Sequence, residues 1–196
     1  MSAEIADQPS AWARAAKVGV TERVVHALPE RGQRVAIIGC GTSFYMAQSF
    51  ADLRERSGHG ETDAFPASEF PARRSYDALV ALTRSGMTTE VLRLLETLRK
   101  RTGTHTVAIT ADPDTPVVEL ADHQVVLDFA DEKSIVQTRF ATTSLALWRA
   151  WLGEDLTAVI RQGRSALTDP LPPRALASAQ FTFLGTGMSV GIAHEA

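Results

Sequence analysis

Val35-Ala36-Ile37-Ile38-Gly39-Cys40-Gly41-Thr42-Ser43 is the stretch on which the fold turns. Its first four residues are apolar without alternation, the pattern of a short strand covered on both faces. Two glycines then allow a tight turn and the close approach of a ligand. Beyond them Met46, Phe50 and Leu53 fall at i, i+4 and i+7, one face of a helix. A strand, a glycine turn and a helix start make half of a βαβ unit. The helix N-terminus offers unpaired N–H groups and partial positive charge, beside the hydroxyls of Thr42 and Ser43. Such a turn suits a phosphate or the hydroxyls of a sugar. It is not the dinucleotide fingerprint, because Phe44 stands where the third glycine belongs, and no Gly-Lys-Ser/Thr follows to make a Walker A loop.

The same alternation continues outward. Ala78–Leu82, Thr106–Ile109 and Val125–Leu127 read as further buried strands, with another expected around Asp63-Ala64-Phe65. Val91, Leu94, Leu95 and Leu98 mark one intervening helix, and Ala141, Leu145, Trp148 and Leu152 mark another. Strands alternating with helices imply right-handed crossovers and a largely parallel sheet. Further on, Leu156, Val159, Ile160, Gly163 and Leu167 suggest a helix that Asp169–Pro173 breaks, and Gln180–Leu184 reads as one more strand. That last run leads into Gly185-Thr186-Gly187-Met188-Ser189, a second G-x-G-x-S turn, and Ala193 stands where Ala47 stands after the first. We read this as the opening of a second copy of the unit.

Composition excludes several alternatives. The 196 residues are 44% hydrophobic and 22% charged, with a net charge of −3. That is an ordinary globular balance with no basic block for nucleic acid. Cys40 is the one cysteine, so no intrachain disulfide framework exists and a reducing cytosol is expected. No apolar run approaches the roughly 18–20 residues that span a bilayer. No residue cluster implies a metal or redox cofactor, and none is expected.

Two further loops lie at the same predicted sheet edge. Thr83-Arg84-Ser85-Gly86-Met87-Thr88 puts three hydroxyls and a glycine between a strand and a helix, with Glu90 complementing the dipole in the first turn. Asp131–Thr138 is polar and by composition reads as a solvated connector. Two hydroxyl-rich turns at the carboxyl ends of parallel strands suggest a ligand site, because open α/β sheets bind ligands there. Cys40 has no base placed beside it and reads as a loop thiol. His59 reads as a surface turn, His105 and His123 lack metal-ligand spacing, and His194-Glu195 stands in the helix of the second copy.

Together these motifs resemble the sugar isomerase (SIS) domain family, especially the branch containing the isomerase half of glucosamine-6-phosphate synthase. Cys40-Gly41-Thr42-Ser43 matches the family's C-G-T-S. Residues 83–88 match S-x-S-G-E-T, and residues 132–139 match E-x-G-V-A-S-T-K loosely. Glu4-Ile5-Ala6-Asp7-Gln8-Pro9 is similar to the E-I-x-E-Q-P lead-in, and Ser68-Glu69-Phe70 to S-E-F. The resemblance implies a three-layer α/β/α sandwich with a five-stranded parallel sheet. It divides the chain into a lead-in helix at 1–22, a SIS domain at 23–152, and linker helices with the start of an incomplete second SIS domain at 153–196. It further implies a sugar phosphate as ligand. Ser85 and Thr88 would hold the phosphate, with Thr83 and Arg84 helping. Cys40, Gly41, Thr42 and Ser43 would contact the sugar phosphate, and Ile135 and Gln137 would line the sugar side. A homodimer is also expected.

Departures limit the match. Thr83, Met87, Gln137 and Arg139 replace the usual Ser, Glu, Ser and Lys, which moves the likeness towards isomerases or deaminases of other phosphosugars. The family's catalytic glutamate would fall beyond Ala196, so the parent reads as an enzyme and this chain as inactive alone. The alternative is a non-catalytic sugar-phosphate sensor, although no helix-turn-helix fits before residue 30.

Overall fold

The computed structural model describes residues 1–100 and 103–196. Among them five strands form one parallel sheet: β1 (Val35–Gly39), β2 (Thr62–Pro66), β3 (Ala78–Leu82), β4 (His105–Thr110) and β5 (His123–Val126), in the order β2-β1-β3-β4-β5. Four of these strands are apolar runs read in the sequence, and β2 forms where a further strand is expected around Asp63-Ala64-Phe65.

Alternating side chains of the strands feed two separate cores, which is why the runs are continuous in sequence. Val35, Ile37, Val80, Leu82, Val107 and Ile109 point to one face. There they meet α1 (Ser2–Gly19), α2 (Glu22–Ala27), α3 (Thr42–Arg56) and α6 (Arg139–Trp151). Ala36, Ile38, Leu79, Ala81 and Ala108 point to the other, against α4 (Thr89–Leu98) and the short α5 (Pro116–Leu120). The result is the three-layer α/β/α sandwich. Full burial of each large aliphatic chain stabilises it by roughly 1.5–3 kcal/mol. The Phe50 and Trp148 rings, 4.7 Å apart, join α3 to α6 in the larger core.

Arg54 is wholly buried beneath the sheet's amino edge, an unusual place for a cation. Its guanidinium donates to the carbonyls of Glu30, Gln33 and Gly60 and to Thr62 Oγ1, at 2.8–3.2 Å. Burial lowers its pKa, and those acceptors answer the desolvation of the charge.

Beyond the sandwich, α7 (Thr157–Ala166) packs on α1, where Gly163 leaves room for the Trp12 ring. The short α8 (Pro173–Ala177) is followed by an irregular, exposed segment. The strand expected at Gln180–Leu184 is not formed: Phe181, Phe183 and Leu184 are 58%, 53% and 90% exposed, and the segment pairs with none of the five strands. A strand needs a neighbour for its N–H and C=O groups, and strand propensity alone does not supply one. The turn that follows is nevertheless made as the sequence pattern implies. Gly187 takes φ +58°, as Gly41 takes +53°. A Cβ on Gly185 would strike Ser189 O at 2.1 Å, as one on Gly39 would strike Ser43 O at 2.7 Å. From this turn α9 (Ser189–Glu195) runs back against α3.

Candidate functional site

The order of the sheet decides where its loops meet. β1 connects outward to β2 on one side, while β3 runs on to β4 and β5 on the other. The two directions part between β1 and β3, whose ends lie in register at Ile38 and Ala81. In open α/β sheets the crevice beyond the carboxyl ends at such a switch point is the ligand position. The loops that flank it are residues 40–43, entering α3, and residues 83–88, entering α4.

In the first loop Gly41 has φ +53° and ψ −130°, a conformation that a side chain would strain. Thr42 is half-buried and Ser43 buried. Cys40 is half-buried, and burial raises its thiol pKa above the ordinary value, the direction opposite to that of an activated nucleophile. In the second loop Gly86 has φ +61°, and a Cβ there would lie 2.0 Å from Thr115 Oγ1. Only glycine lets this loop lie against Thr115 and Val117. Thr83 is buried, with its hydroxyl 3.2 Å from that of Thr88. Ser85 Oγ accepts from Met87 N at 3.3 Å, leaving its proton for another acceptor. The first-turn amides of α4 have no acceptor within the helix.

Arg84 bridges two of the loops. Its Nη1 donates to Asp131 Oδ1 at 3.2 Å and to the carbonyl of Glu132, so the guanidinium ties the second loop to the third. The third loop is accordingly no free connector. Glu132 is buried, and its carboxylate accepts from Thr138 N, Thr138 Oγ1, Arg139 N and Phe140 N at 2.9–3.0 Å, which closes the N-terminus of α6. Glu4 of α1 accepts from Lys133 N and Ser134 N and from the Ser134 hydroxyl. The Met1 ammonium first, then the Ser134 and Lys133 donors, lower the pKa of Glu4 to about 2. Within this anchored loop Ile135 is 98% exposed. Gln137 lines a cavity of about 300 Å³ with Val136, Thr138, Met46, Ile192 and Glu195, and its buried Oε1 has no partner.

Sequence reasoning missed three contributors here: Glu132 as a cap, Glu4 as a tether, and Glu195 beside the first loop. Glu4 and Glu132 stood in matched motifs, but their roles depend on elements far away in sequence. Glu195 Oε1 accepts from Thr42 Oγ1 at 2.7 Å, although 153 residues separate them. Among the described residues no group of three or more His, Cys, Asp or Glu could hold a metal ion, and no helix is long and apolar enough to cross a membrane.

A model of the SIS domain matches residues 30–150. Glutamine–fructose-6-phosphate aminotransferase (isomerizing) of Campylobacter jejuni is 32% identical over 119 residues, 58% of this chain and 20% of that protein. Tagatose-6-phosphate ketose/aldose isomerase from Escherichia coli superposes with a TM-score of 0.77 at 20% identity, over 98% of this chain and 60% of that one. The C-terminal domain of glucosamine-fructose-6-phosphate aminotransferase from Francisella tularensis gives a TM-score of 0.67 at 20% identity, over 89% and 49%. At that identity the two structures establish a shared fold. The chain spans about a fifth of the length of the curated relatives it matches.

Proposed function

Since this chain belongs to the SIS domain family, we propose that residues 23–152 are the phosphosugar-binding domain of an aldose–ketose isomerase or of an aminosugar-phosphate isomerase or deaminase. One observation carries the reading. Two hydroxyl-bearing glycine turns, 40–43 and 83–88, flank the switch point of a parallel sheet, each opening a helix. The phosphate lies against the second turn, where Ser85 and Thr88 donate hydroxyl hydrogen bonds and the amides of α4 complete the anion site. Thr83 supports Thr88 from beneath. Arg84 adds positive charge at the rim while holding the third loop. The sugar extends towards Cys40, Gly41, Thr42 and Ser43, with Gln137 and the backbone around Ile135 on its far side.

In the parent protein the expected chemistry moves a proton between adjacent carbons of the ring-opened sugar phosphate. A carboxylate takes the carbon-bound proton as the carbonyl oxygen or imine nitrogen gains one, giving an enediol or enolamine. The carboxylate then returns its proton to the neighbouring carbon as the adjacent hydroxyl loses its own and becomes the new carbonyl. A fixed phosphate positions those carbons for the transfer. The names of the curated relatives, both isomerizing aminotransferases of fructose 6-phosphate, support this reaction class.

The test is calorimetry with hexose 6-phosphates. Ser85→Ala removes one donor to the phosphate and is expected to weaken binding by about 1–3 kcal/mol. Equal affinity in variant and parent would reject the assignment.

A further inference from the structure

Hydrogen-bond direction gives the candidate site a polarity that its composition hides. A threonine hydroxyl carries one proton and two lone pairs. The proton of Thr42 Oγ1 is directed at Glu195 Oε1, 2.7 Å away. Thr42 in this state only accepts, and the carboxylate that orients it also only accepts. An anionic phosphate needs donors and finds none in this pair, whereas a sugar hydroxyl is a donor. The cavity beside the pair adds a third acceptor, the buried and unpartnered Oε1 of Gln137. Met46, Val136 and Ile192 share its walls with Thr138 and Thr142, whose hydroxyl protons are directed at Glu132 and at Gln8 Oε1. A buried acceptor without a partner leaves a ligand donor to be accommodated. Glu195 is held in place independently of Thr42. Its helix crosses α3 closely where Gly191 meets Tyr45 and Ser49, with Ser49 Oγ donating to Met188 O at 2.7 Å. His194 on the same turn lies 3.1 Å from Gln48 Oε1.

We infer that Glu195, with Thr42 and Gln137, forms the hydroxyl-reading end of the site, and that the phosphate is confined to the opposite turn at 83–88. The inference rests on the phosphosugar reading above and adds a specificity determinant to it. Glu195 selects ligands that present hydroxyl donors beyond the phosphate and disfavours a phosphate that would bind reversed.

The experiment compares the affinity of the 196-residue chain for a hexose 6-phosphate with that for inorganic phosphate, in the parent, in Glu195→Gln and in Ser49→Ala. Glu195→Gln removes the charge and one acceptor at nearly constant shape. It is expected to lower the ratio of the two affinities about tenfold, the effect of one charge-assisted hydrogen bond. Ser49→Ala loosens the same helix crossing without touching the acceptors, and its ratio is expected to stay within about twofold of the parent's. Melting temperatures establish that all three chains are folded. A ratio unchanged in Glu195→Gln overturns the inference while leaving the phosphosugar site standing. An equal fall in both variants overturns it as well, because Glu195 then acts only as a clamp between helices. Failure of the parent to bind either ligand removes the phosphosugar reading itself.

Discussion

Glu132→Gln isolates the contribution of one buried carboxylate to the architecture of the site. The side chain is 2% exposed, and both oxygens receive hydrogen bonds at the start of α6. Oε1 serves Phe140 N and Oε2 serves Arg139 N, each at 3.0 Å. An amide has the same outline but carries hydrogens where one oxygen stood. Whichever way it is turned, its NH₂ group faces a backbone N–H. One buried donor is thereby left without an acceptor, which costs about 1–3 kcal/mol. Loss of the negative charge from the helix N-terminus adds up to about 1–2 kcal/mol in a partly buried setting. The expected destabilisation is therefore about 2–4 kcal/mol, a large share of the roughly 5–15 kcal/mol that holds a domain folded. Urea denaturation monitored by tryptophan fluorescence would report it as a lower midpoint with little change in slope, Trp148 and Trp151 lying on the helix concerned. A change below about 0.5 kcal/mol would refute the capping role, since the amide would then have satisfied every donor that the carboxylate meets.

Gly86→Ala is expected to cost about 2–5 kcal/mol, combining positive-φ strain with overlap on Thr115 Oγ1 at 2.0 Å. Gly41→Ala, with open space around it, carries only the strain, so similar urea midpoints for the two variants would contradict the packing argument. The pKa of Glu4 is depressed from 4.5 to about 2 by the Met1 ammonium first and by the Ser134 and Lys133 donors after it, so these contacts together stabilise the fold above about pH 4.5 and weaken as pH falls towards 2. Stability curves of the parent and Glu4→Gln should therefore converge over that acid range, and a constant separation would show that the carboxylate's charge is not responsible. Self-association is expected from the exposed Phe181, Phe183 and Leu184, and a concentration-independent monomer in sedimentation velocity would exclude it.

The sequence by itself determined what is local. Apolar runs doubly buried in a sheet, helix stripes, and glycines at turns that no side chain tolerates are properties of a few adjacent residues. They located four of the five strands and both turns of the candidate site, while the edge strand β2 was expected only as a short segment around Asp63–Phe65. They also located the second turn at 185–189, whose Gly187 repeats the conformation of Gly41. Tertiary structure decided what depends on partners far along the chain. Strand order brought residues 40–43 beside 83–88. The same propensity that read 180–184 as a strand was overridden, because no neighbour supplied its hydrogen bonds. The charged groups show the division most clearly. Arg84, Glu132, Glu4 and Glu195 are all plain in the sequence, but a charge acquires a role only from the donor or acceptor that folding places within about 3 Å of it. Thr42 and Glu195 meet across 153 residues, a distance at which periodicity and local propensity carry no information.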